Sequence, residues 1–324
     1  MRQYCIILLI LLAGSGANAS AVYVNISALC DPSSLPDPIS LPADRLTVVI
    51  SAYHPSRATL LRRLTLAYSS IPFVASIVVL WSNPSTLPPD LRSTPKLTVL
   101  HLPSPSLNLR FLPLPTPILR SRFVAIADDD VAADPGTLSL ALSLAARRPG
   151  SLHGFFARSH DLDLRSRSWI YSIHPDKYSI VLTKLMILHY EYLHKYTCWS
   201  RLSAARVVVD RERNCEDILM NFLAAMESGE GPVLVDGRVR DYGDPRNRGG
   251  GADGRLGSGD AEIERVALSA RRAHRERRGW CITEFHRRLG VMPLRYSYGR
   301  VVAAIREQGL CRKGGKLVYC DQEE

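Results

Sequence analysis

Three adjacent carboxylates, Asp128, Asp129 and Asp130, follow without a break on the apolar run Phe123-Val124-Ala125-Ile126-Ala127. Like charges this close repel one another, so they persist only where solvent or a cation neutralises them. Hard oxygen donors of this kind suit Mg²⁺ or Mn²⁺. The run before them is short, uninterrupted and rich in branched residues, which reads as a strand buried on both faces of a parallel sheet. Ligands of such sheets bind beyond the carboxyl ends of the strands, so the acids are expected to face a crevice. Alternate residues of an extended chain point the same way. Asp128 and Asp130 are therefore expected on one face, one reaching a ribose or a metal-bound water and the other holding the metal. The chemistry this suits is a metal–diphosphate site. The plainer alternative is an acidic turn ahead of a helix that starts near Asp134-Pro135-Gly136.

The elements that must position these acids can be read on either side of them. Leu46-Thr47-Val48-Val49-Ile50-Ser51 is a buried-strand pattern, followed by a helical pattern over 56–69 and by further strands over 76–81 and 96–101. Strands alternating with helices predict βαβ units and a mostly parallel sheet. The Pro-rich stretch 103–117 is expected to cross the mouth of that sheet as a loop. After the acids, a helix is expected over 135–147, strands over 152–158 and 178–185, and a helix over 186–196. Another helix begins at Cys215, with Glu216 and Asp217 in its first turn where acids complement the helix dipole. A Gly/Arg/Asp-rich run over 242–260 reads as a loop.

Length and the chain start set further bounds. With 324 residues the chain can bury a large core. Met1-Arg2-Gln3, an apolar run from Tyr4 to Ala13 and Ala17-Asn18-Ala19 form the basic, apolar and cleavage regions of a secretory signal peptide. A short signal anchor is the alternative. Either puts the body in an oxidising lumen, and the cysteines agree: of seven, six remain once Cys5 is removed with the signal. Asn25-Ile26-Ser27 is a glycosylation acceptor, whereas Asn83-Pro84-Ser85 is disqualified by its proline. Residues 31–44 carry four prolines and several serines and read as a stem or linker.

The net charge of +10 is compatible with nucleic acid, an anionic membrane surface or phosphorylated substrates. Basic residues concentrate between Arg238 and Arg288, largely on a helical pattern, where most read as a solvated face. No zinc-finger, homeodomain or RNA-binding aromatic pattern accompanies them, which argues against nucleic acid. One or two of these arginines could grip a diphosphate bidentately.

Several spaced segments together resemble glycosyltransferase family 64, the exostosin-like transferases, and most closely its short plant members. They are Ile77-Val78-Val79-Leu80-Trp81-Ser82-Asn83, Ser106-Leu107-Asn108-Leu109-Arg110-Phe111, the triple Asp and Gly154-Phe155-Phe156-Ala157-Arg158-Ser159-His160. Tyr178-Ser179-Ile180-Val181-Leu182-Thr183, Asn214-Cys215-Glu216-Asp217-Ile218-Leu219-Met220-Asn221-Phe222, Arg278-Gly279-Trp280-Cys281-Ile282 and Met292-Pro293-Leu294-Arg295-Tyr296-Ser297 complete the set. The resemblance implies an α/β, GT-A fold: a mostly parallel twisted sheet flanked by helices, with the Pro-rich and Gly/Arg-rich loops over the site. It also implies a nucleotide-sugar donor, a Mn²⁺ ion, with Mg²⁺ as its substitute, and transfer with retention of configuration.

Carried over residue by residue, the resemblance gives Asn83 and Arg110 to the nucleotide, and Asp128 and Asp129 to the nucleotide sugar. Asp130 becomes the metal ligand, Asp217 the acid beneath the reacting carbon, Arg278 the support of the leaving diphosphate, and His274 a neighbour of that group. Cys215 and Cys281 match a bridged pair; for the other four cysteines the resemblance gives no pairing, and closeness in sequence suggests Cys311 with Cys320, leaving Cys30 for Cys198. Each residue has a plainer reading: Asn83 closing a turn before Pro84, Arg110 on the surface, Asp217 capping a helix with Glu216 as its competitor, and His274 on a polar face. Whether Asp217 would form a covalent intermediate or only flank a same-face substitution stays open.

The implied organisation is a signal segment (1–19), a stem (20–44), a transferase domain (45–300, with a nucleotide-sugar half over 45–134 and an acceptor and catalytic half over 135–300) and a tail (301–324). The expected activity is hexosyl or N-acetylhexosaminyl transfer from a UDP-N-acetylhexosamine or GDP-mannose to a glycan or glycosyl inositol phosphorylceramide. The expected place is the secretory lumen, in the Golgi or after release, with membrane association through the acceptor or an uncleaved signal. A weakly active carbohydrate-binding protein on the same fold is the rival reading.

Overall fold

The structure is a computed structural model that describes residues 9–11, 29–31, 33, 35–91, 94–243, 272–302, 310–313 and 316–319. The cleavage motif, Asn25, the Cys311–Cys320 pairing and most of the Gly/Arg/Asp-rich run lie outside these residues. Among the described residues no helix is long and apolar enough to cross a membrane.

The first strands in chain order are β1 (Leu9–Leu11), β2 (Leu46–Ala52), β3 (Val74–Trp81), β4 (Leu97–His101), β5 (Phe123–Asp128) and β6 (Val131–Ala133). They are followed by β7 (His153–Gly154), β8 (Ala157–Asp163), β9 (Ser168–Ser172), β10 (Lys177–Tyr178), β11 (Ile180–Val181), β12 (Leu185–His189), β13 (Val233–Asp236), β14 (Val239–Asp241), β15 (Ser297–Tyr298) and β16 (Val301–Val302). The main sheet runs β1-β4-β3-β2-β5-β12-β7-β13-β16. β4, β3, β2 and β5 are mutually parallel, and β12 is antiparallel to β5 and β7. β2 is the topological switch: the chain builds outward from it through β3 and β4, then returns to its other side as β5. A crevice opens at such a point, beyond the carboxyl ends of the strands, and Ser51 of β2 stands opposite Asp128 of β5 there.

Among the described residues six α-helices cover the sheet: α1 (Ala58–Ser69), α2 (Pro135–Arg147), α3 (Glu191–Cys198), α4 (Ser203–Glu212), α5 (Glu216–Ser228) and α6 (Arg272–Leu289). The alternation of side chains along each strand divides the core between two faces. Val48, Ile50, Ile77, Val79, Ala125 and Ala127 pack with residues of α1 and α2. Val49, Val78, Leu80, Val124 and Ile126 pack on the opposite side with residues of α3, α4, α5 and α6. This is the mostly parallel α/β architecture expected from the strand and helix pattern. The helix over 135–147 forms with Asp134 as its N-cap, accepting from the Gly136 and Thr137 N–H groups.

The central region departs from the expectation. Residues 186–189 belong to β12, and the helix α3 begins only at Glu191. Leu185-Met186-Ile187-Leu188 is apolar throughout, and a short run of that kind fits a buried strand as well as a buried helix. The expected strand over 178–185 is split among β10, β11 and β12, and α4, between residues 203 and 212, was not anticipated. The proline-rich stem is fastened to the body by the Cys30–Cys198 disulfide. Tyr190 Oη also donates to the Pro36 carbonyl at 2.9 Å.

A small sheet, β11-β8-β9, stands beside the crevice, and α6 covers its β9 edge. Thr283 Oγ1 accepts the Trp169 N–H of that edge at 2.8 Å, blunting an otherwise open row of donors. The approach is close enough to require glycine: a β-carbon on Gly279 would stand 2.8 Å from the Trp169 carbonyl oxygen.

Candidate active site

β5 ends at Asp128, and the chain turns at Asp129 and Asp130 before β6. The strand alternation that would put Asp128 and Asp130 on one face ends there, and the two acids pair with different arginines. Arg57, immediately before α1, holds both Asp129, through a short bond, and Asp130 at 3.0 Å. Asp128 instead faces Arg110, whose Nη1 lies 3.3 Å from its Oδ1.

Arg110 comes from a 3-10 turn, Leu107–Phe111, inside the Pro-rich loop. Its flanking residues Leu109 and Phe111 are buried, so packing delivers the guanidinium to the crevice floor. The same Nη1 reaches Glu216 Oε1 at 3.1 Å and Thr183 Oγ1 at 2.5 Å. Thr183 in turn donates to Glu216 Oε1 at 3.2 Å. Arg110 therefore joins the acidic turn to the first turn of α5, where Asp217 sits.

Asp217 is positioned by the spacing of its own segment. Asn221, one helical turn on, accepts the Val181 N–H at 3.0 Å and donates to the Val181 carbonyl at 2.8 Å, tying α5 to β11. The Cys215–Cys281 disulfide ties the start of α5 to α6. Cys215 has φ 77°, a left-handed conformation uncommon outside glycine, and Asn214 Oδ1 accepts its N–H at 2.8 Å. Across that junction Arg278 Nη2 donates to Asp217 Oδ2 at 2.5 Å and Arg278 Nη1 to Asn214 Oδ1 at 3.0 Å. The guanidinium also lies 4.5 Å from the centroid of the Tyr171 ring. Asp217 and Arg278 are both buried.

These surroundings move the ionisations apart. Burial pushes Asp128 up to about 7; Arg110 opposes the rise, while Asp130, Asp129 and Glu216 add to it. Burial likewise raises Asp129 against Arg57, and Glu216 against Arg110. Burial alone would depress Arg278, yet Asp217 and Tyr171 outweigh it and the guanidinium is raised. His274 lies one turn before Arg278 on α6; burial and then the Arg278 charge lower it, which favours its neutral form.

The remaining expected residue, Asn83, sits at the end of β3, where its carboxamide closes a turn. Its Nδ2 donates to the Tyr53 carbonyl at 3.2 Å, and its Oδ1 accepts the Ser85 N–H at 3.0 Å. Arg57, Lys184 and Asp241 are site residues that none of the motifs above contains, and Thr183 closes one of those motifs without an assigned role. Arg57 carried a usable signal, being a basic residue in the loop directly after the first strand of the switch point. Lys184 binds the buried Asp241 through a short ion pair, a contact between distant segments with no local pattern.

Among the described residues no three His, Cys, Asp or Glu side chains form a ready-made metal cage. The charges nevertheless leave room for a cation. Among the described residues the ion pairs of the site join six carboxylates (Asp128, Asp129, Asp130, Glu216, Asp217 and Asp241) to four cationic groups (Arg57, Arg110, Lys184 and Arg278), a formal difference of two negative charges when every acid is ionised. The Nε atoms of Arg110 and Arg278 are buried without a hydrogen-bond acceptor, so both arginines keep donor capacity for an anion.

A family model described as the glycosyl transferase family 64 domain matches residues 46–305. Glycosyltransferase family protein 64 C3 of Arabidopsis thaliana is 44% identical over 310 residues, which cover 91% of this chain and 91% of that protein. Exostosin-1a of Danio rerio is 28% identical over 80% of this chain but only 34% of its own length. Exostosin-1 of Bos taurus is 32% identical over 60% of this chain and 26% of its own length. Among solved structures, GalNAc-T7 with UDP, GalNAc and Mn²⁺ superposes with a TM-score of 0.34 at 10% identity, covering 49% of this chain and 36% of that one. With the family model spanning 46–305 and a 44% identical relative matched along nearly the full length of both proteins, the chain belongs to glycosyl transferase family 64.

Proposed function

We propose that this protein is a metal-dependent, retaining glycosyltransferase. It moves a hexose or N-acetylhexosamine from a nucleotide sugar to a glycan or glycosyl inositol phosphorylceramide in the lumen of the secretory pathway, with the Golgi as its first station. The observation that carries the reading is the joining of the acidic turn to the Asp217–Arg278 pair through Arg110 and Glu216, beside the crevice of the switch point. Two charged sites a few side chains apart match the two places where charge develops when a sugar–phosphate bond breaks.

In this reading Asp128 and Asp129 meet the nucleotide sugar and Asp130 holds Mn²⁺ or Mg²⁺, which when bound stabilises charge on the departing diphosphate. Hard cations commonly take one or two carboxylates and complete their shell with water and substrate phosphate, which suits a site with surplus acid and no closed cage. Arg278 presents a fixed fork to the leaving group, and Arg110 and Asn83 border the nucleotide. Asp217 supplies a fixed negative charge to the developing oxocarbenium ion. His274, whose neutral form is favoured, adds a polar group beside Arg278. The preorganised bonds of Asn214, Asn221 and Tyr171 hold this arrangement before any ligand arrives, which makes electrostatic stabilisation effective.

The test is a panel of UDP- and GDP-sugars incubated with the purified luminal protein, with and without Mn²⁺, reading released nucleotide. Mn²⁺-dependent release with one donor supports the reading and names the donor. Carbohydrate binding without release from any donor would replace it with a binding protein on the same fold.

A further inference from the structure

The acidic turn is flanked by the β14 end of a two-stranded ribbon. β6 and β14 pair antiparallel, with Val131 opposite Asp241. Past β14 the chain lies over Asp130: the Tyr242 N–H donates to the Asp130 carbonyl at 2.8 Å. The Gly243 N–H donates to Asp241 Oδ1 at 3.0 Å. Asp241 Oδ2 accepts from Lys184 Nζ, and the Lys184 carbonyl takes the Asp128 N–H at 3.0 Å. The segment Asp241 to Gly243 is thus bonded directly to the Asp130 end of the acidic turn and reaches the Asp128 end through Lys184.

Gly243 has no left-handed φ that would demand glycine. Its need is space, since a β-carbon built on it would collide with Oδ2 of Asp130. That oxygen is the one Arg57 holds at 3.0 Å. A carboxylate at the end of a short side chain can turn aside at little cost to the fold, so a methyl group here would change the direction of Asp130 while leaving the backbone in place.

We propose that Gly243 is a positioning residue for Asp130: its absent side chain is the room in which the carboxylate holds its present direction beside Arg57. The functional side of the proposal rests on the reading of Asp130 as the acid that holds the donor's cation.

Gly243→Ala tests it, with Asp130→Asn and the double variant completing a cycle. The probes are UDP and GDP, titrated by calorimetry with and without Mn²⁺, together with melting temperature and the side-chain nitrogen resonances of Arg57 in the ligand-free protein. The expected result is a shifted Arg57 signal and an unchanged melting temperature. Mn²⁺-dependent nucleotide affinity should fall about 10- to 100-fold, the scale of losing a group that orients a metal ligand. In the Asp130→Asn background, Gly243→Ala should add nothing. An unmoved Arg57 signal, a large fall in melting temperature, or losses that add in the double variant would each overturn the proposal. If the unaltered protein binds neither nucleotide in a Mn²⁺-dependent way, the transferase reading fails, and the Arg57 resonance still decides whether Gly243 directs Asp130.

Discussion

At the start of α5, Asp217 meets Arg278, with Asn214 and Tyr171 closing around the guanidinium. At the end of β5, three carboxylates and nearby Glu216 share Arg57 and Arg110. The first cluster is balanced, buried and tied by a disulfide. The second is short of positive charge, and Asp128 responds with a carboxyl pushed up to about 7 by burial and by its acidic neighbours, against Arg110. A balanced pair presents a charge of fixed position, as a group beneath a reacting carbon requires. An unbalanced turn leaves room for a further cation, as the proposed metal–diphosphate site requires.

Breaking the closed pair has the largest expected effect. Arg278→Ala leaves a buried carboxylate uncompensated, which costs about 3–5 kcal/mol of stability, measurable by urea denaturation. Asp217→Asn keeps the shape and removes the charge; in its proposed role beneath the reacting carbon, turnover should fall on the order of 10²-fold, more than donor affinity, because an interaction of that kind acts mainly in the transition state. Arg278→Lys should fail as well, since a point charge does not reproduce a fork. Asp130→Ala draws the contrast: Mn²⁺-dependent donor binding disappears while the fold remains. Near-normal turnover in Asp217→Asn would move the catalytic role to Glu216 or His274.

The next effect concerns the tie that the open site lacks. Cys215 and Cys281 are separated by 66 residues in sequence, and opening a loop of that length returns about 4 kcal/mol of entropy to the unfolded chain. The Cys215→Ser/Cys281→Ser double variant should therefore unfold at lower urea and lose turnover, as α5 and α6 cease to hold Asp217 on Arg278. Metal-dependent nucleotide binding at the acidic turn should survive in whatever fraction stays folded. Equal loss at both sites would show that the two clusters are one rigid unit.

The same contrast governs what could be read from the chain. The acidic turn was visible because apolar strand and acids are contiguous, and both physical arguments act locally. The pairing of Cys215 with Cys281 and the joint duty of Asp217 and Arg278 came from likeness to a family, since no local rule links residues so far apart. The helix pattern over 186–196 misled because a continuously apolar run lacks the periodicity that separates strand from helix. Thr183 and Lys184, on the short link before β12, were placed in a strand without a role. Their contacts are set by how β5, β12 and the first turn of α5 converge, which is a property of topology.

A smaller effect is expected at the junction of the two clusters. Thr183 Oγ1 accepts from Arg110 and donates to Glu216, so Thr183→Val removes a bond to a charged partner on each side without changing volume much. Bonds of this kind are worth about 1.5–3 kcal/mol, and Arg110 keeps Asp128 and Glu216 as partners, so a loss near tenfold in turnover is expected. Thr183→Ser should restore most of it. If serine fails to rescue, the threonine methyl packing matters and the hydroxyl does not.

The smallest effect separates the clusters by pH. Asp128 titrates at about 7 in the folded protein against an ordinary value of 3.8, through burial first and its acidic neighbours, with Arg110 opposing. The folded state therefore holds more protons than the unfolded state between those values, and this group's contribution to stability falls as pH rises from 4 to 7 and is level beyond. The full displacement would correspond to roughly 4 kcal/mol. The Asp128 side chain keeps 30% of its surface in solvent, so the shift and the stability effect tied to it are both smaller than full burial would give. Asp128→Asn should thus stabilise the ligand-free protein at pH 8 and make little difference at pH 4, even as it weakens donor binding. Asp217→Asn should destabilise at pH 8, because its charge already has a partner. Denaturation midpoints of both variants at pH 5 and pH 8 decide the matter. If Asp128→Asn is the less stable protein at pH 8, Arg110 already balances the acidic turn, and the distinction between an open and a closed cluster is lost.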